Sequence, residues 1–274
     1  MKLPEDAALS AARNYEVNMV VPVMTPCAAI LLEYVRPERG AYLIDVAAGT
    51  GIVARLAAQL VGPHGRVVAV DSSTAMLQVG REQAKDAGSL IEWKEGQAEE
   101  LPLPDAAGDL VLCQHGLQYF GDRQRALGEL RRVLRPEGVL GLCVWDALEH
   151  NPLPNLVWTT IARHLDVEPA LLTLPYSCGD TVYLRALLDD VAVRDVRFYT
   201  RSFLARQPYP VTFIEGLIAG ARKMLPRLDA MGDEQRSELA HAVEAELRPM
   251  LAEFLQGEFL VSPLSLHIVV ASAT

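Results

Sequence analysis

Two carboxylates each end an apolar run early in the chain, with a loop of small residues after the first. Leu43-Ile44-Asp45-Val46 leads into Ala47-Ala48-Gly49-Thr50-Gly51, and Arg66-Val67-Val68-Ala69-Val70 ends on Asp71. Small residues let a backbone approach a ligand closely, and glycine takes positive φ without strain. The helix expected after the loop points its unpaired N–H groups at the same place. In a doubly wound sheet, the acid ending the second strand stands where a ribose diol is read. The pattern therefore predicts a site for a nucleoside-containing cofactor. Gly49-Thr50-Gly51-Ile52-Val53-Ala54 also fits the dinucleotide pattern, with Asp71 about twenty residues further on. Asp45 separates the two readings. A carboxylate repels a pyrophosphate and attracts a sulfonium or ammonium group.

Asp45-Val46-Ala47-Ala48-Gly49-Thr50-Gly51 resembles the first motif of the class I S-adenosylmethionine-dependent methyltransferases, acid-x-Gly-x-Gly-x-Gly. Ala47 stands where that family usually has its first glycine. The resemblance implies S-adenosyl-L-methionine as cofactor and S-adenosyl-L-homocysteine as product. It implies that the loop of Asp45, Ala47, Gly49 and Gly51 holds the methionine part. Asp71, with Ser72 beside it, takes the ribose hydroxyls; replacing Asp71 by alanine is expected to weaken the cofactor with little change in ligand-free melting. Met76 lies against the adenine or packs in the core. Gln97-Ala98 replaces the family's Asp-Ala, and the glutamine amide can pair with the adenine edge.

The segment Cys113-Gln114-His115-Gly116-Leu117-Gln118-Tyr119-Phe120 resembles the post-strand motif of the small-molecule methyltransferases of ubiquinone and menaquinone biosynthesis. By that resemblance Gln114 contacts the cofactor, and His115 faces cofactor or acceptor as the candidate catalytic base. His150 is a second candidate base, and neither has an orienting partner visible in sequence. Tyr119 and Trp145 read as walls of the acceptor pocket. Tyr15 falls where relatives fold an N-terminal helix over the cofactor; its hydroxyl reaches the cofactor carboxylate or packs.

These residues need a scaffold. Strands are expected at Tyr42–Ala47, Arg66–Asp71, Leu90–Lys94, Leu110–Gln114 and Val139–Trp145. Helices are expected at Gly51–Leu60, Thr74–Asp86 and Arg123–Leu134, the last ending before a turn at Pro136-Glu137-Gly138. Strand–helix alternation of this kind builds right-handed βαβ units and a parallel sheet. Alternation then stops. A helix at Thr181–Leu188, a strand at Val193–Phe203, helices within 205–258 and a closing apolar run at Ser265–Ala271 suggest a pair of strands at one sheet edge. The expected fold is α/β: a Rossmann-like methyltransferase sheet, mostly parallel with an antiparallel last strand, helices on both faces and helical cap insertions. One methyltransferase domain over 1–274 is expected, with a core of 37–146, 181–204 and 259–274. Cap segments are 1–36, 147–180 and 205–258, expected to close over the acceptor. Residues 1–36 read as helical, interrupted at Pro22 and Pro26 and ended by Pro37.

Composition narrows the partners. The chain has 274 residues, half of them hydrophobic, and a net charge of −10. That charge argues against a nucleic-acid partner, because phosphate neutralisation needs basic clusters. The four cysteines form no C-x-x-C pair, so no metal site is expected. No membrane span is expected, for want of a run of about twenty apolar residues. Without a signal-like apolar run at the start, a reducing cytoplasm is the expected compartment. The sequence leaves the oligomeric state open.

The reaction expected is methyl transfer to a small, mostly apolar molecule by in-line displacement. Two alternatives stay open: a protein that binds the cofactor without methylating, and a nicotinamide-dependent oxidoreductase.

Overall fold

A computed structural model describes residues 5–84, 91–208, 210–221 and 225–274. The expected helix end at Asp86 and strand start at Leu90 lie outside the described residues. Contacts divide the chain into two compact units. The first comprises 1–144, 180–201 and 266–274, and the second 145–179 and 202–265. Residues from the expected cap at 1–36 belong with the first unit.

The first unit opens with α1 (Glu5–Tyr15), a π-helical stretch (Glu16–Met24) and α2 (Thr25–Val35). The expected interruptions at Pro22 and Pro26 are absent. Pro22 sits inside the π stretch, whose wider turn absorbs the missing N–H and the ring, and Pro26 occupies the first turn of α2. Thr25 closes the junction by donating both its amide and its hydroxyl to the Val20 carbonyl. The result corrects the membrane reading in one respect. The helix Ala7–Val35 is long and apolar enough to cross a membrane by length and composition alone. Its Val20, Val23, Cys27, Ala28 and Leu31 are nonetheless fully buried in the protein core.

Then come β1 (Tyr42–Val46), α3 (Ile52–Val61), β2 (Arg66–Asp71), α4 (Thr74–Gln83), β3 (Ile91–Glu95), β4 (Gly108–Gln114), α5 (Arg123–Val133) and β5 (Leu134–Trp145). The β1 register sets Asp45 beside Ala69 and Leu112, so the first acid comes from a central strand. Val53, Ala54, Ala57, Ala58 and Val61 form the buried stripe of α3. Ser73 caps α4 by accepting from the Met76 amide at 3.3 Å, and Asp122 caps α5 by accepting from Arg125 at 2.9 Å. The turn expected at Pro136-Glu137-Gly138 is instead taken into β5 as an irregularity. Leu134 already pairs with Gly108, and regular pairing resumes at Leu110 with Val139. Glu137 takes a left-handed φ of 63° within it.

After α6 (Pro152–Leu165) and α7 (Thr181–Asp189) come β6 (Val193–Gln207), α8 (Pro210–Ala221), α9 (Pro226–Ala230), α10 (Asp233–Leu251), β7 (Leu255–Gln256) and β8 (Phe259–Ala273). Strand order is β3-β2-β1-β4-β5-β8-β6. The sheet is mostly parallel with an antiparallel strand, and the last strand lies inside the order, between β5 and β6. Both late strands outrun their expected bounds, β6 to Gln207 and β8 back to Phe259. The second unit has its own core, where Leu153, Val157, Ile161, Ile214, Ile218, Val243 and Leu247 are fully buried together.

Candidate cofactor site

The site of the first unit is built at the carboxyl ends of β1, β2 and β4, where open α/β sheets bind ligands. Backbone conformation makes the loop after β1. Ala47 and Gly49 both take a left-handed φ of 57°, and Gly51 takes 77° as the cap of α3. Ala47 thus holds the conformation that a glycine would take freely, at a cost of roughly 1–2 kcal/mol for an L residue. Gly51 has a packing reason as well: a Cβ there would overlap the Trp93 ring of β3.

The two acids have structural partners in this loop. Asp45 is buried, and one carboxyl oxygen accepts from the Ala54 amide in the first turn of α3 at 3.0 Å. Burial pushes its pKa up to about 8, against the helix bond that lowers it and with a further rise from Asp71. Asp71 accepts from the Gly49 amide at 2.7 Å and from the Ser73 amide at 2.8 Å. It therefore ties the β1 loop to the start of α4. These bonds give Asp71 a structural role beside the one expected of it. Two backbone donors depend on it, and bonds to a charged group contribute about 1.5–3 kcal/mol.

Two cavities open on this loop. One, of about 300 Å³, is lined by Ala47, Asp71, Ser72, Gly96, Gln97, Ala98, Glu99, His115, Gly116, Tyr119, Phe120 and Gly121. The other, of about 70 Å³, is lined by Tyr15, Val20, Asp45, Ala47, Ala48, Gly49, Thr50, Ile52, Val53, Gln114 and His115. Ala47 and His115 belong to both. The structure thus gathers Tyr15, Asp45, Ala47, Gly49, Asp71, Ser72, Gln97, Ala98, Gln114, His115 and Tyr119 around adjoining spaces. Gly51 and Met76 line neither. Gly51 packs against Trp93, and the Met76 amide is the one capped by Ser73. Trp145 falls in the second unit, buried, with its ring 6.5 Å from that of Tyr176. His150 lies in the same unit with Nδ1 3.0 Å from Asp146, whose bond and charge raise its pKa. Asp146 also accepts from the Ser265 hydroxyl at 2.8 Å. Among the described residues, no group of three or more His, Cys, Asp or Glu side chains is arranged to hold a metal ion.

Gln114 lines the small cavity, and Glu16 braces its wall through Thr50. The Gln114 amide donates to the Met24 carbonyl at 3.2 Å, while its buried Oε1 has no hydrogen-bond partner among the described residues. Glu16 was not singled out from the sequence. It pairs with Arg55 of α3 at 2.7 Å and accepts from the Thr50 hydroxyl, locking the π-helical stretch onto the β1 loop. A carboxylate within an apolar helix next to Tyr15 is the sequence signal for it. Glu99, also missed, lines the large cavity and accepts from the Gly121 amide at 2.9 Å. Burial is the main cause raising the Tyr15 and Tyr119 hydroxyl pKa values, so both stay protonated hydrogen-bond donors at neutral pH.

Residues 44–142 match the family model for a methyltransferase domain. The chain is 46% identical over 103 residues to the ubiquinone/menaquinone biosynthesis C-methyltransferase UbiE of Hahella chejuensis, covering 37% of this chain and 41% of that protein. It is 30% identical over 176 residues to UbiE of Escherichia coli (strain K12 / DH10B), covering 59% of this chain and 70% of that protein. The chain belongs to the class I S-adenosylmethionine-dependent methyltransferase family. The match spans under half the length of the Hahella relative. The fold of this family member is also that of Haemonchus contortus phosphoethanolamine N-methyltransferase 2, with a TM-score of 0.59 at 16% identity, covering 97% of this chain and 57% of that one. That protein was solved with phosphomonomethylethanolamine and S-adenosylhomocysteine. The family match spans the motif loop, Asp71, Gln97 and Gln114 and stops before Trp145.

Proposed function

We propose that this chain binds S-adenosylmethionine in the first unit and transfers its methyl group to a small, apolar acceptor. The observation that carries the reading is the ring of groups from separate elements around adjoining cavities: Tyr15, Asp45, Gly49, Asp71, Gln97 and Gln114. The chemistry of that ring fits the cofactor. Asp45 offers a carboxyl to cationic groups, and the buried Gln114 Oε1 accepts from an ammonium. The left-handed backbone at Ala47 and Gly49 opens the loop for a close approach. Asp71 has the charge to take ribose hydroxyls, and Gln97 offers a donor and an acceptor to an adenine edge.

The cofactor supplies a methyl group already activated by its sulfonium. What the chain has to do is align the acceptor and exclude water, and alignment alone is worth roughly 7–11 kcal/mol in favourable cases. His115, in the wall common to both cavities, is the candidate base for the proton an acceptor loses. The named relatives act in quinone biosynthesis, so hydroquinones are the first acceptors to try. Cys27, Cys113 and Cys143, buried and outside any disulfide, support a reducing cytoplasm as the compartment.

The test is incubation with methyl-labelled S-adenosylmethionine and a panel of short-chain hydroquinones, followed by mass spectrometry. A labelled methyl on a hydroquinone supports transfer. Tight cofactor binding with no labelled product from hydroquinones, phenols, amines or thiols would favour a protein that binds without methylating.

A further inference from the structure

The π-helical stretch Glu16–Met24 carries a charge that the reaction as described does not use. Glu16 is buried in a run of mainly apolar residues, and both of its carboxyl oxygens are engaged. One accepts from the hydroxyl of Thr50, between the two glycines of the β1 loop, and the other pairs with the Arg55 guanidinium of α3 at 2.7 Å. Arg55 Nε is itself buried without a hydrogen-bond partner among the described residues, so the guanidinium depends on Glu16. At the far end of the stretch the Met24 carbonyl accepts from Gln114 at 3.2 Å. The stretch is thus fastened to the cofactor loop at its first turn and to the end of β4 at its last.

The winding between those two points decides what faces the small cavity. Tyr15, which leads into the stretch, and Val20 within it both line that cavity. They are five residues apart. Around an α-helix, residues at that spacing diverge by about 140°, whereas i→i+5 winding brings them nearly into line. An α-helical register would therefore turn Tyr15 or Val20 out of the wall. Val17 and Val21 of the same stretch point away, 68% and 67% exposed. The Tyr15 ring also lies against the loop, 3.9 Å from where a Cβ on Gly49 would stand. A buried ion pair is weak evidence for stability, because desolvation offsets its attraction, and its best-attested use is to fix a register.

We propose that Glu16 is a positioning residue for the cofactor: its bonds to Thr50 and Arg55 fix the register of the π-helical stretch, and so seat Tyr15 and Val20 over the site and hold the bound cofactor in it. The inference rests on the cofactor reading above. Glu16 lines neither cavity, so it acts through the residues it holds. Release of the cofactor requires Tyr15 and Val20 to leave the wall, and the Glu16 bonds oppose that motion. Loss of Glu16 therefore shows in the rate at which ligand leaves more than in the rate at which it arrives. Glutamine at this position keeps an acceptor and loses the charge; alanine loses both. Thr50→Val removes the link to the loop and leaves the ion pair.

The experiment follows labelled S-adenosylhomocysteine leaving the full chain after a chase with excess unlabelled compound. It compares the native protein with Glu16→Gln, Glu16→Ala and Thr50→Val, and melting temperature and association rate are measured on each sample. Glu16→Ala is expected to release the ligand about tenfold faster or more, as fits the loss of a charge-assisted bond, with Glu16→Gln and Thr50→Val between it and the native protein. Association should change by less than release does. Hydrogen exchange on the native protein supplies a readout that needs no variant: the amides of the π-helical stretch should gain protection when the ligand saturates the site. A lowered melting temperature with a native release rate in Glu16→Ala overturns the proposal, since a residue that only stabilises the fold behaves so. Exchange in the stretch unmoved by bound ligand overturns it as well, even if the variants fail to fold. Either result, with the native protein still binding S-adenosylhomocysteine, removes only the role of Glu16, whereas no binding to the native protein removes the cofactor reading and this proposal with it.

Discussion

The sheet-bearing unit and the helical unit are both well packed, yet they are organised on different principles. In the first, backbone geometry makes the site. A left-handed loop, two acids at strand ends and a helix start lie within thirty residues of one another, and each position demands a particular residue type. In the second, α6, α8 and α10 pool apolar side chains such as Leu153, Ile214 and Leu247 from distant parts of the chain. Many residues satisfy that requirement. A site made by the backbone leaves a local signature, whereas a core made by side chains reports only burial.

The most severe way to break the backbone-built unit is Gly51→Val. It forces a β-branched residue to positive φ and drives its side chain into Trp93. Strain and overpacking together should cost roughly 3 kcal/mol or more, with loss of S-adenosylhomocysteine binding. Thermal unfolding and calorimetry on the same sample check both. A well-folded variant with native affinity would show that the loop does not depend on this glycine.

Leu247→Ala is the matching cut in the helical unit. Leu247 is fully buried in that unit's core, and truncation there should cost about 2–5 kcal/mol. S-adenosylhomocysteine affinity at low temperature should be unchanged. A parallel loss of affinity would mean that the two units do not divide labour as described.

Asp71→Ala sharpens the comparison by testing one residue for two roles. Losing the bonds to Gly49 and Ser73 should cost about 1.5–3 kcal/mol of ligand-free stability, and cofactor affinity should fall by a similar amount. Loss of stability with native affinity would make Asp71 a loop fastener only.

The comparison also has a pH dependence. Folding raises the Asp45 carboxyl from the ordinary value near 4 to about 8. Between those values the unfolded chain has lost a proton that the folded one keeps. Ligand-free stability contributed by this group is therefore fully present below about pH 4 and falls as pH rises through about 8. Asp45→Asn should flatten that slope in urea titrations across the range. A cation bound beside Asp45 favours the ionised form, so cofactor binding should release a proton at neutral pH. Calorimetry in buffers of different ionisation enthalpy would read it. An unchanged slope in Asp45→Asn would place the pH dependence elsewhere.

Much of the first unit was legible because its signals are local. The acids Asp45 and Asp71, the small loop and the strand–helix alternation each follow from a few adjacent residues. Gln114 was reachable only through a resemblance, since nothing in its neighbours announces a buried, half-satisfied amide. Glu16 escaped because its partners, Thr50 and Arg55, are far along the chain. Pro22 misled for a related reason: proline breaks an α-helix, but a π-helical turn accommodates it. The part played by Asp71 in holding two loops was hidden as well, because a backbone amide carries no mark in sequence. The strand Leu134–Trp145 swallowed a turn-like Pro-Glu-Gly, where pairing with β4 outweighed local preference.

The central claim, that the first unit is built for S-adenosylmethionine and not for a dinucleotide, is tested most directly by isothermal calorimetry. S-adenosylhomocysteine, S-adenosylmethionine and NAD are titrated separately into the full chain. The account predicts one-to-one binding of both adenosyl compounds and none of NAD under the same conditions. NAD binding more tightly than S-adenosylhomocysteine, or no heat from either adenosyl compound, would contradict it.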